Sequence, residues 1–284
     1  AENGEILNFL RSECVKKGQL TPHYHYVSRP PFTEAEAVRR AIYLAGQTDT
    51  PLYIAHMTCR EAIAELQKAK GTGQRVSGET CTHYLTTTKE VLDNPDFNEA
   101  AKFVCSPALR DREDCEALWQ ALSDGLLTAV SSDHCGIDVA ELKQAGRNDF
   151  TQIPNGSPGA GDRLHMVWTE GVCTGKLTRQ KFVDVIATQP AKINGIYPRK
   201  GTLAVGSDAD VVIFDPNYEG TVHLADNPNG VDYNLYEGRR QSGRVETVLL
   251  RGQVVVENVQ FVGRYGQGKF IPANMYASGY ENRN

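Results

Sequence analysis

The chain has 284 residues, 40% of them hydrophobic and 23% charged, enough to bury a large core and to hold one or two domains. Its net charge of -5 comes without a basic run, which argues against a nucleic-acid surface, and no apolar run approaches the roughly 18 residues of a membrane helix. The seven cysteines are odd in number, widely spread and never spaced C-x-x-C, which argues for reduced thiols in a cytoplasmic protein rather than a disulfide frame.

Ala1-Glu2-Asn3-Gly4 opens in helix-like sequence without the features of a secretory or transit peptide, and the expectation is a chain cut inside an element. Thr21-Pro22-His23-Tyr24-His25 leads into Ser28-Arg29-Pro30-Pro31, and prolines on both sides predict a loop. Thr33-Glu34-Ala35-Glu36 has the form of a capping box and predicts a helix to about Gln47. Leu52-Tyr53-Ile54-Ala55-His56 reads as a buried strand, followed by a helix over 60–70 that stops at Gly71. Residues 76–80 and 102–105 are further strand candidates, the latter ended by Ser106-Pro107. Asp111 can cap a helix running through Trp119 to Gly125, and a fourth strand over 127–131 ends at Ser132-Asp133-His134.

Residues 135–160, rich in Gly, Asn and Pro, read as a long loop of the kind that carries function, and helices follow over 161–174 and 178–188. Beyond Tyr197-Pro198 strands dominate, over 209–214, 247–251 and Gln253–Glu257, with Arg251-Gly252-Gln253 marking a tight hairpin. The tail from Gly266 is polar and aromatic and reads as an arm or a disordered end.

Strands alternating with helices imply an α/β fold with a parallel sheet. A doubly wound sheet and a barrel both fit, and the absence of a Gly-rich dinucleotide fingerprint weakens the first. His56 and Asp133 both stand where a strand ends, the positions that face the active site in a (β/α)8 barrel.

Each candidate has a plain structural alternative. His56 could be a core histidine bonded to a carbonyl. Asp133 could cap a turn, but an acid straight after an apolar strand suits hydrolysis, where one carboxylate oxygen holds a metal and the other takes a proton. His23 and His25 form an H-x-H pair that reads as mostly structural. His83 reads as packing or support, His134 as orienting its neighbour, and His165 and His223 as bland. Asn155 is a turn residue by composition, or a reader of a ring amide. Ser106 precedes Pro107, so its extended backbone could offer N–H and C=O to a substrate amide. There is no G-x-S-x-G elbow, P-loop or H-E-x-x-H.

Taken together these segments resemble the dihydropyrimidinase/D-hydantoinase branch of the amidohydrolase superfamily. The most specific matches are Ala1-Glu2-Asn3-Gly4, Ser28-Arg29-Pro30-Pro31, Pro51-Leu52-Tyr53-Ile54-Ala55-His56, Gly78-Glu79-Thr80-Cys81, Cys105-Ser106-Pro107-Ala108-Leu109-Arg110, Ser132-Asp133-His134-Cys135, Ile153-Pro154-Asn155-Gly156, and Tyr197-Pro198-Arg199-Lys200-Gly201 with Gly206-Ser207-Asp208-Ala209-Asp210. The resemblance implies the C-terminal part of a metal-dependent (β/α)8 TIM barrel over residues 1–200, the C-terminal part of a small β-sandwich domain over 201–265, and a tail over 266–284.

It implies further that two divalent ions, usually zinc, are held by an H-x-H pair, a bridging carboxylated lysine, two more histidines and an aspartate. Of these, His56 and Asp133 are present. The others would fall before Ala1, and His23-Tyr24-His25 does not match the family's pair. The implied reaction is hydrolytic ring opening of dihydropyrimidines or 5-substituted hydantoins by metal-activated hydroxide. Asp133 would act as general base then acid, and Ser106, through its backbone, and Asn155 would bind the ring. With two ligands, the chain by itself is expected to bind no zinc tightly and to be inactive, and to fold less well than the complete protein. Family members commonly form homotetramers. Allantoinase, dihydroorotase and a non-catalytic scaffold are the rival readings.

Overall fold

Apolar runs separated by helices pair side by side in a computed structural model of the chain, which describes residues 1–274. Residues 275–284 of the expected tail lie outside the described residues. The chain divides into two units: Ala1–Arg163 with Val222–Gly238, and Leu164–Thr221 with residues from 239 onward.

In the first unit, β1 (Leu52–Ile54), β2 (Val76–Cys81) and β3 (Ala129–Ser131) form an open parallel sheet in the order β1-β2-β3. Ile54 pairs with Gly78 and Cys81 with Ser131. β2 is buried at nearly every position, as expected of a parallel strand covered on both faces. The sheet confirms an α/β class, and among the described residues it does not close into a barrel.

The helices of this unit are α1 (Gly4–Lys16), α2 (His23–Val27), α3 (Pro31–Gln47), α4 (Arg60–Gly71), α5 (Thr82–Thr86), α6 (Phe97–Ala101) and α7 (Arg112–Ser123). Three expectations need correction. His23 and His25 lie on the short helix α2, because Pro22 sits at its N-cap rather than inside it. The capping box at Thr33 does not form: α3 starts two residues earlier at Pro31, Thr33 donates to the Pro30 carbonyl, and Glu36 accepts from Asn3 instead. Residues 102–105 are not a strand. Their carbonyls bond to other partners, Val104 O accepting from Gly156 N at 3.0 Å, so no ladder is available to them.

The expected loop 135–160 contains two short 3-10 turns, Lys143–Gly146 and Phe150–Gln152. It packs through Phe150 and Ile153 onto Cys14, Leu92, Ala101 and Val104.

A buried ion pair ties this unit together. Arg110 and Glu34 are 5% and 1% exposed and meet at 3.1 Å. Arg110 also donates to Thr58 Oγ1 at 2.9 Å and to the Arg29 carbonyl, while Glu34 accepts from Thr58 N at 2.8 Å and from Thr58 Oγ1. α3, the turn after β1 and the segment before α7 are thereby bound to one charge pair.

The second unit contains α8 (Arg163–Val167) from Leu164 on, α9 (Arg179–Val183) and α10 (Gln189–Ile193). π-helical turns at Trp168–Val172 and Asp184–Thr188 extend α8 and join α9 to α10, so the second helical run continues past the expected end at 188. Its sheet is antiparallel in the order β4 (Val211–Thr221), β5 (Arg240–Leu250), β6 (Gln253–Glu257) and β7 (Gln260–Phe261). β4 and β5 exceed the expected spans, because a register shift between Asp215 and Glu219 absorbs Pro216 and lets pairing resume. The hairpin at Arg251-Gly252 is observed: Leu250 pairs with Gln253, and both turn residues have positive φ, 49° and 79°.

Arg110→Met leaves the Glu34 charge buried without its partner. It is expected to lower the unfolding free energy by about 3 kcal/mol. The double variant Glu34→Leu/Arg110→Met is expected to lose less than that single variant, as read from urea denaturation curves.

Candidate active site

Each candidate stands at a strand end or in a segment packed there. β1 ends at Ile54 and β3 at Ser131, and two residues beyond each come His56 and Asp133. Both adopt left-handed backbone conformations, with φ of 41° and 45°. Of the other non-glycine residues with positive φ, Asp49, Arg251, Asn258 and Val259 occupy turns. Strain held at two equivalent strand ends marks positions where the side chain's direction matters.

His56 Nδ1 is buried without a hydrogen-bond partner among the described residues, as are Thr80 Oγ1 near the end of β2 and His83 Nε2 on α5 just after it. Buried polar atoms left unpaired are costly, and these three are open to a further partner. Asp133 is exposed, yet its charge reaches the buried groups beside it. Burial raises the Cys81 thiol and the Tyr84 phenol well above their usual values, and Asp133 adds to both shifts. Burial likewise lifts Cys105 to about 11, with Asp133 contributing. Cys105, one of these groups, directly precedes Ser106.

That segment is held at the carbonyls around Ser106. Val104 O accepts from Gly156 N at 3.0 Å, Cys105 O pairs with His25 Nε2 at 2.7 Å, and Pro107 O accepts from Tyr84 OH at 2.7 Å. The Ser106 backbone N–H and C=O have no partner among the described residues, while its hydroxyl donates to Asn155 Oδ1 at 2.7 Å. An open amide pair beside a carboxamide can match the donor and acceptor of a cyclic amide. The Ser106–Pro107 peptide is cis.

The structure brings Ser106 and Asn155 into contact and sets His56 and Asp133 at the same end of one sheet. The H-x-H pair is split. His23 is half-buried and bonds Asp93 at 2.6 Å, whereas His25 is buried on Cys105 O, so the two rings serve different partners. His134 Nδ1 accepts from Gly159 N at 3.3 Å rather than orienting Asp133. Sequence reasoning passed over the Glu34–Arg110 pair and the buried Lys143. Neither has a local signature, because a charged residue reads as surface until its neighbours are known.

A family model described as the amidohydrolase family matches residues 33–255. The chain belongs to that family. Its relatives place it in the dihydropyrimidinase/hydantoinase branch. It is 47% identical to a D-hydantoinase of Ralstonia pickettii over 276 residues, 97% of this chain and 60% of that protein. It is 39% identical to a dihydropyrimidinase of Arabidopsis thaliana over 95% of the chain and 51% of that relative. Among solved structures, a dihydropyrimidinase from Brevibacillus agri superposes with a TM-score of 0.96 at 44% identity, covering 98% of this chain and 60% of that one. The chain thus spans about 60% of the length of these bacterial relatives.

Burial, followed by the nearby Arg29 charge, holds His25 down to about 3 from 6.5. Above pH 6.5 the ring is neutral in folded and unfolded chains and contributes no pH dependence. As pH falls from 6.5 towards 3 the unfolded chain takes up a proton that the folded chain refuses, so stability is lost, by up to about 1.4 kcal/mol per pH unit. His25→Gln is expected to show a flatter decline between pH 6.5 and 4.5 than the parent when denaturation midpoints are compared.

Proposed function

We propose that the complete protein hydrolyses a cyclic amide or ureide ring, of the dihydropyrimidine or 5-substituted hydantoin class. The observation that carries this reading is the open backbone amide pair of Ser106, whose hydroxyl is bonded to Asn155. The names of the relatives, D-hydantoinase and dihydropyrimidinase, support it. They do not favour allantoinase, dihydroorotase or a scaffold.

The family's dependence on divalent metal fits part of what is present. His56 has an unpaired buried ring nitrogen and Asp133 is an accessible carboxylate, so both can serve as ligands. Among the described residues, no three His, Cys, Asp or Glu side chains gather as a metal-holding group, whereas a catalytic zinc takes about three protein ligands. We therefore assign His56 and Asp133 as a share of a two-metal centre, of zinc type, whose carboxylated lysine and other histidines belong to the complete protein. When bound, the ions polarise the ring carbonyl and lower the pKa of water.

The chain's own residues do the rest. Ser106 N–H and C=O pair with the ring amide, and Asn155 fixes its orientation, so the scissile bond is presented in one pose. Asp133 takes the proton from the attacking water and returns it to the departing ring nitrogen, one carboxylate serving in turn as base and acid.

In the same reading residues 1–200 are a share of a (β/α)8 barrel and 201–265 a share of a β-sandwich. Three parallel strands with helical crossovers and one four-stranded antiparallel sheet support this. A homotetramer and a cytoplasmic setting belong to it as well. All seven cysteines are free, and no helix among the described residues is long and apolar enough to cross a membrane.

In the metal-loaded complete protein, Asp133→Asn is expected to lower kcat on hydantoin or dihydrouracil by about 10³-fold. Asn155→Ala should act mainly on KM. The 284-residue chain alone is expected to hold well under one zinc per chain by elemental analysis. A full complement of zinc there would refute the assignment of only two ligands to it.

A further inference from the structure

Lys143 is fully buried at 0% exposure and forms no ion pair among the described residues. Its ammonium donates instead to three carbonyls, Ala101 O at 2.8 Å, Val104 O at 3.3 Å and Gly156 O at 2.8 Å. An ammonium has three protons and accepts nothing, so this arrangement uses its full capacity. Burying a cation without a counter-charge is unfavourable, and burial lowers Lys143 to about 8. A simple surface turn would not need such a group.

The position of the carbonyls shows what the arrangement achieves. Val104 stands two residues before Ser106, and Gly156 directly follows Asn155. The two segments are also joined by Gly156 N to Val104 O at 3.0 Å and by Ser106 Oγ to Asn155 Oδ1 at 2.7 Å. Gly156 has φ of 129°, and a Cβ there would lie 2.5 Å from Cys135 Cβ, so the loop has no slack to adopt another path. Lys143 holds a carbonyl in both segments while bonding neither Ser106 nor Asn155.

We propose that Lys143 is a positioning residue for ring-amide recognition, drawing the carbonyls of Val104 and Gly156 onto one ammonium and so fixing the spacing between the Ser106 backbone and the Asn155 side chain. The proposal rests on the substrate-binding role given above to Ser106 and Asn155. It adds a residue that acts through them.

The test uses the metal-loaded complete protein with Lys143→Met, which keeps length and removes the donors. KM for hydantoin or dihydrouracil is expected to rise about tenfold or more with a smaller change in kcat. Added to Asn155→Ala, the same substitution should cost less than about a further twofold in kcat/KM, because both act on one contact. Losses that multiply, with KM unchanged and activity following the folded fraction, would mean a purely structural role and overturn the proposal.

Hydrogen exchange gives a readout free of turnover. The Gly156 amide should exchange about tenfold faster in Lys143→Met while β2 is unaffected, and unchanged exchange at Gly156 overturns the clamp. If Lys143→Met does not fold, Lys143→Gln, which still offers two donors, carries the same measurements with intermediate effects. A wild-type protein that opens no cyclic amide refutes the functional reading instead, and exchange at Gly156 then decides the clamp by itself.

Discussion

The Arg110 guanidinium, buried against the Glu34 carboxylate, is the interaction on which the first unit depends. It satisfies Thr58 Oγ1 and the Arg29 carbonyl together with Glu34, and Glu34 in turn accepts from the Thr58 amide. Thr58 is two residues beyond His56, and Arg110 is four beyond Ser106. One charge pair thus anchors both the turn that carries a candidate metal ligand and the segment that carries a candidate substrate contact. Buried pairs of this kind often add little net stability, because desolvation offsets the attraction. Their consequence here is geometric: neither segment can shift without stranding a charge.

The same logic recurs at shorter range. The carbonyls of Val104, Cys105 and Pro107 are each engaged by Gly156 and Lys143, by His25, and by Tyr84, which leaves the Ser106 amide pair as the open valence of the segment. A segment of backbone is as rigid as the bonds around it, and these bonds come from four separate parts of the chain. His56 and Asp133 present the complementary case. There the backbone is strained, and His56 Nδ1 has no hydrogen-bond partner among the described residues.

The comparisons place these features in a family whose members extend well beyond this chain. Superposition on the Brevibacillus agri dihydropyrimidinase covers 98% of this chain and 60% of that one. Among the described residues, the unpaired atoms of His56, Thr80 and His83 stand near the sheet end that carries the candidate metal ligands.

The sequence by itself determined the local order and the branch of the family. Short apolar runs between amphipathic stretches marked β1, β2 and β3, because strand burial is written in composition. Arg251-Gly252 marked its hairpin, because few residues tolerate the required φ. Ordered motifs such as Ser132-Asp133-His134 carried the resemblance. Only the tertiary structure decided that residues 102–105 give their carbonyls to other partners, that His25 turns inward onto Cys105, and that Lys143 and Arg110 are buried. Each of these outcomes depends on a partner dozens of residues away, or on a loop path set by such partners. A charged or polar side chain reads as surface until the fold supplies what will satisfy it.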